Sequence, residues 1–214
     1  MSSGQATSAE VSPASSEDQT QPSAVDKSSE YLTLVNKTHG LNRAYEPDDL
    51  RTVRATAKDR EAEYQKLRKA AAKAFNDLTA GAKEAGCTIK LTTGYRPYSY
   101  QKVLYKQYID MDGKEKAEQY SAKPGYSEHQ TGLSADVSSP SVGYQLVRKY
   151  GRTKAGTWLA ENGHRYGFII RYPKGKESIT GYEYEPWHIR YVGKEAAAEI
   201  YERQLTLEEY LGES

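Results

Sequence analysis

The chain has 214 residues and a formal charge of +1, which fits one domain of ordinary size plus a tail and lacks the basic excess of a general nucleic-acid binder. Hydrophobic residues make up 37%, and no run approaches the roughly 20 apolar residues of a membrane-spanning helix. The single cysteine, Cys87, rules out an intrachain disulfide and a cysteine-based zinc knuckle.

Residues 1–27 are almost entirely Ser, Ala, Gln, Glu, Thr and Pro. Such a segment buries too little surface to offset its ordering entropy, so it reads as a disordered tail or spacer. It has neither the basic nor the apolar region of a signal peptide. A Ser/Pro-rich spacer ahead of a compact domain leads to the expectation of a trimmed form, with an export signal or membrane anchor upstream.

The folded domain is expected over 28–214, as a monomer. It opens with an extended segment at 31–37 and a loop through His39. Pro47-Asp48-Asp49-Leu50 then reads as a turn with a short helical start. The longest helix is predicted over 57–85, because Leu67, Ala71, Ala74, Phe75, Leu78 and Ala82 recur at three- and four-residue spacing. Gly86 stops it. Cys87, between that glycine and the apolar Ile89 and Leu91, reads as a buried structural thiol.

Residues 88–92 alternate as a strand that delivers Gly94-Tyr95-Arg96-Pro97. A helix follows over 97–111, with Val103, Leu104, Tyr108 and Met111 on one side; Asp112-Gly113 breaks it, and 114–120 is a short charged helix. The turn Lys123-Pro124-Gly125-Tyr126 leads through Ser127 and His129 into a strand over 132–137. Beyond it are a helix from 156 carrying Trp158, Leu159 and His164, and a buried strand over 168–172. A last strand over 187–192, a closing helix over 196–205 and a solvated acidic Glu208-Glu209 complete the chain. Nineteen tyrosines against two phenylalanines suggest half-buried rings lining a wet cleft. The fold class is α+β: a small antiparallel sheet built from the segments near Leu91, Val137, Ile169 and Ile189, with helices on one side and the open face left for a site.

The chemistry concentrates in two stretches. Of four histidines, His129 and His188 lie close in sequence to Asp136 and Glu185. His129, Asp136 and His188 offer two imidazoles and one carboxylate with a fourth position open, as in catalytic zinc sites. Glu185, three residues before His188, can serve a water there as general base. Pro186 argues against a helical His-Glu-x-x-His arrangement and for a turn entering a strand. A seven-residue strand spans roughly 23 Å, too far for His129 and Asp136 to share an ion, so the chain must bend at Thr131-Gly132. On spacing alone, ordinary hydrogen-bonded histidines are an equal alternative. Arg96, at a strand end before a helix, is placed either to aim into a cleft or to be a plain exposed arginine.

Ser127-x-His129-x-x-Gly132-x-x-x-Asp136 followed by Glu185-x-x-His188 resembles the zinc D-alanyl-D-alanine carboxypeptidases of the VanY type, which belong with the lysostaphin and Hedgehog amino-domain zinc fold. The resemblance runs from about Leu34 to Gly193. It implies one Zn²⁺ per chain on His129, Asp136 and His188, with Glu185 as the proton carrier and Arg96 facing the scissile carbonyl. It further implies that Gln101, five residues after Arg96, and Ser127 bind the substrate backbone or terminal carboxylate. The implied substrate is a peptidoglycan stem peptide ending in D-alanine, outside the cell. Pentapeptide (DD) and tetrapeptide (LD) ends stay open, as does a dipeptidase or endopeptidase. A non-catalytic cell-wall peptide-binding module is the rival reading; it would have no need of Glu185 beside three ligands.

Overall fold

The computed structural model describes residues 27–57 and 61–213 together with Met1; the tail expected over 1–27 lies outside them but for its two ends. The elements are β1 (Leu50–Thr52), β2 (Lys66–Arg68), α1 (Lys69–Glu84), β3 (Lys90–Thr93), α2 (Tyr98–Asp112), α3 (Lys114–Tyr120), β4 (Ser134–Ser138), α4 (Lys154–Asn162), β5 (Phe168–Ile170), α5 (Glu177–Thr180), β6 (His188–Tyr191), α6 (Lys194–Glu202) and α7 (Leu207–Leu211). Four strands form an antiparallel sheet in the order β3-β4-β6-β5, from the four segments expected to build it. No helix among the described residues is long and apolar enough to cross a membrane.

Strand alternation gives the sheet two chemically different faces. Leu91, Ala135, Val137 and Ile189 join Phe75 and Leu78 of α1 and Ala155 and Leu159 of α4 in the main core. The intervening residues Asp136 of β4 and His188 of β6 lie opposite each other in register and line a cleft instead. A bulge between Leu91 and Thr93 lets both Thr92 and Thr93 border that cleft, a common way for an edge strand to re-aim side chains. A smaller cluster of Ile169, Val192, Ala196, Ile200 and Leu207 packs α6 and α7 over the β5 end.

Several expectations are corrected. The helix predicted from 57 begins only at Lys69, and Leu67 belongs to β2, paired antiparallel with β1. Leu67 is fully buried, so its apolar spacing is genuine, but long-range backbone bonds decide its conformation: Tyr95 N to Lys66 O at 2.7 Å and Arg68 N to Gly132 O at 2.8 Å. The helical start expected near Leu50 is the strand β1 for the same reason, and the extended segment at 31–37 opens with a helical turn, Glu30–Leu32. Within α2, Val103 and Met111 are exposed, and Gln101 is the buried residue.

The chain's end differs most. The closing helix is two, α6 and α7, and Glu208 is buried rather than solvated. A capping box between Thr206 and Glu209 starts α7 and fixes its rotation. Glu208 then meets Arg171, whose Nη1 and Nη2 donate to Oε2 and Oε1 at 2.8 and 2.6 Å. His164 sits in a turn after α4 (Gly163–Tyr166), its ring stacked on Tyr201 at 3.8 Å.

Candidate metal centre and active-site cleft

The bend expected at Gly132 exists: a helical turn (Glu128–Thr131) ends there at φ 69°. A Cβ at Gly132 would meet Arg68 Cγ and Leu50 Cδ2 at 3.0 Å, so both backbone and space require glycine. The bend returns His129 to β4, where its Nε2 stands 3.2 Å from Asp136 Oδ2. From the neighbouring strand, His188 Nδ1 stands 3.0 Å from Asp136 Oδ1. One ligand atom from each residue lies within 4.8 Å of the others, and all three residues are buried.

The hydrogen-bond partners on the far side of each ring define which nitrogen faces inward. His129 Nδ1 donates to Gly94 O at 2.7 Å; a carbonyl only accepts, so Nε2 presents its lone pair to Asp136. Burial and Arg96 both lower the His129 pKa, against the pull of Asp136. For His188, burial disfavours the charged ring, but bonds to Asp136 and Glu128 outweigh it and push the group up to about 9. Burial would raise Asp136, yet His129 and His188 hold it well below the usual carboxylate range.

Protons on the rings supply the positive charge that Asp136 faces, which is why His188 is pushed up and Asp136 down; a bound cation would take the place of those protons. Donors bound to tetrahedral zinc at about 2.05 Å sit about 3.3 Å apart, close to the spacings of Asp136 to the two rings. The donor set therefore fits a divalent cation, with nitrogen and oxygen ligands of the kind zinc takes.

Glu185 occupies the turn before β6, its N–H donating to Tyr172 O at 3.1 Å, as Pro186 suggested. Its Oε2 is 3.8 Å from His188 Nδ1. Burial raises this carboxyl, His188 opposes and Asp136 adds to the rise, leaving it at about 8. That range suits proton transfer near neutral pH.

A cleft of about 610 Å³ spreads over these groups, lined among others by Arg96, Gln101 and Ser127 and by Tyr64, Tyr100, Tyr108, Tyr120, Tyr172 and Tyr182, consistent with the tyrosine-rich cleft expected. Arg96 is tied to the ligand turn by its N–H to His129 O at 3.1 Å, while its buried Nε has no partner among the described residues. Gln101 Nε2 donates to Ala122 O at 2.6 Å, and its buried Oε1 has no partner there. The free atom of Gln101 is thus an acceptor, which suits a substrate N–H and not a carboxylate. All seven residues singled out in the sequence border one cleft.

Glu128 was not singled out. It is 1% exposed; Oε1 accepts from Arg171 Nε at 2.7 Å and Arg190 Nη1 at 2.6 Å. Oε2 accepts from Ser134 Oγ at 3.1 Å and lies 3.4 Å from His188 Nε2. Burial would raise its pKa, but Arg171, Arg190 and the His188 contact hold it well below the ordinary range. A signal was present: Arg171 and Arg190 interrupt apolar strand text, and buried arginines need a buried anion. Tyr172 was also passed over; its ring stacks on His188 with centroids 4.9 Å apart.

A family model described as VanY, D-alanyl-D-alanine carboxypeptidase, matches residues 64–194. The putative carboxypeptidase YodJ of Bacillus subtilis (strain 168) is 48% identical over 181 residues, covering 84% of this chain and 66% of that protein. Among solved structures, the LdcB LD-carboxypeptidase superposes with a TM-score of 0.80 at 46% identity, covering 84% of this chain and 85% of that one. A mutant of the D,D-pentapeptidase VanY from a VanB-type resistance cassette, in complex with Zn(II), gives 0.71 at 32% identity, covering 86% and 99%. The chain spans between 44% and 66% of the length of three curated relatives it matches.

Proposed function

Because the chain belongs to the VanY family of D-alanyl-D-alanine carboxypeptidases, we propose that it is a zinc carboxypeptidase removing the terminal D-alanine from peptidoglycan stem peptides outside the cytoplasm. The observation that carries this reading is the convergence of His129, Asp136 and His188 with Glu185 beside them in one cleft. A bound zinc ion supplies Lewis acidity for acidifying water and polarising a carbonyl.

The chain's own groups do the rest. Glu185 takes the proton of the attacking water and delivers it to the amine of the departing D-alanine. Arg96 donates to the scissile carbonyl oxygen as negative charge grows there. Gln101 Oε1 accepts from a substrate N–H, and the Ser127 hydroxyl holds the substrate backbone or terminal carboxylate. The enzyme acts as a monomer.

The deciding experiment incubates the zinc-loaded chain with purified stem tetrapeptide and pentapeptide and weighs the products. Loss of a single D-alanine from either is expected, with about one zinc per chain by elemental analysis and no release after chelation. Binding without cleavage would favour the peptide-binding module; release of a dipeptide would favour the dipeptidase.

Arg96→Lys separates two roles for the guanidinium. Lysine keeps the charge and loses the planar fork, so kcat should fall by about 10- to 100-fold with KM little changed, less than loss of a whole oxyanion donor. Steady-state kinetics showing a rise in KM alone would move Arg96 to the terminal carboxylate.

A further inference from the structure

The buried network behind His188 is larger than an ordinary histidine partner requires. Arg171 and Arg190 are each fully buried. Arg171 spends Nη1 and Nη2 on Glu208 of α7, and Arg190 spends Nη2 on Tyr31 O and Thr33 O at 3.1 and 2.7 Å. Both then converge on Oε1 of Glu128. Two arginines and two carboxylates balance in charge, but gathering four charges in an interior is usually no more stable than apolar packing. Stability is a weak reason for such a cluster. The side-chain atom of this cluster that reaches a proposed ligand ring is Glu128 Oε2, at His188 Nε2.

We propose that Glu128 is a positioning residue of the metal centre, clamped by Arg171 and Arg190 so that its free oxygen sets the rotation and tautomer of His188. This rests on the zinc reading above. Tyr172 lies against the face of the His188 ring and fixes its plane. Rotation within that plane is left to the ring edge, and an acceptor at Nε2 keeps a proton there, so that Nδ1 is the nitrogen left to ligate a cation beside Asp136. A carboxylate behind a ligating imidazole typically contributes 10- to 100-fold in metal affinity.

The test uses the full chain, zinc affinity by chelator competition, and the visible spectrum of the cobalt(II)-loaded protein. Glu128→Asp keeps the charge against both arginines and draws the carboxylate back from His188; it should weaken zinc about 10- to 100-fold and shift the cobalt bands. Glu208→Gln disturbs the same cluster away from the ligand; it should lower the melting temperature and leave zinc affinity and cobalt bands unchanged. Wild-type zinc and cobalt behaviour in Glu128→Asp, or equal zinc losses in the two variants, would overturn the proposal. If Glu128→Asp does not fold, Ser134→Ala serves: it keeps every ion pair and removes the hydroxyl that holds Oε2. A smaller zinc loss with shifted bands supports the proposal, and unaltered values overturn it. A wild-type chain that binds no zinc overturns the metal centre itself and this inference with it; unaffected variants of a zinc-binding chain overturn only the role of Glu128.

Discussion

Glu185→Gln is expected to lower kcat on a D-alanine-terminated peptide by about 10²–10⁴-fold, the usual contribution of a positioned general base, while zinc content and substrate affinity stay near those of wild type. The amide keeps the shape and burial of the side chain and cannot accept the proton. Glu185 lies 3.8 Å from His188 Nδ1, close enough to reach a water held beside the three proposed ligands. The ionised carboxylate is the active form, so wild-type kcat/KM should rise with pH through its ionisation and then level off. Burial sets that ionisation at about 8 in the metal-free chain; a dication nearby favours the carboxylate and moves the limb lower. In Glu185→Gln the limb should vanish. Near-normal turnover in this variant would assign the base to another residue.

The sheet and the site were legible for the same physical reason. Apolar residues mark the strands, in alternation at Ile89-x-Leu91 and as a run at Phe168-Ile169-Ile170, and histidine is rare enough in this chain to stand out: two of its four histidines lie in the site. Gly132 could be foreseen because a straight strand cannot bring His129 back to Asp136. What escaped was decided by long-range pairing. Leu67 fits a helical stripe, yet its neighbours' backbone groups bond to Tyr95 and Gly132, which no local spacing reveals. Met111 and Val103 have helical spacing and face solvent, since apolar periodicity marks a face without naming what covers it. Glu128 drew no notice and Glu208 read as a solvated acid because their partners, Arg171 and Arg190, are at least 37 positions away along the chain.

That last misreading gives the largest expected effect on stability. Glu208→Ala should cost about 3–5 kcal/mol, the range for removing one partner of a buried ion pair. Arg171 is fully buried and would keep only Glu128 as a counter-charge, with two of its nitrogens unpaired. Asn36 Nδ2, 3.3 Å from Glu208 Oε1, would lose its acceptor as well. The adjacent Glu209→Ala is the internal comparison. Glu209 pairs with Lys176 at 2.7 Å in a partly exposed setting and completes the capping box, so its loss should cost only about 1 kcal/mol. Denaturant unfolding with an unchanged m-value would separate the two, and equal, small shifts would mean that Glu208 is solvated after all. Well below its melting temperature, Glu208→Ala should still cleave stem peptide at a near-wild-type rate, because Arg190 continues to hold Glu128 against His188.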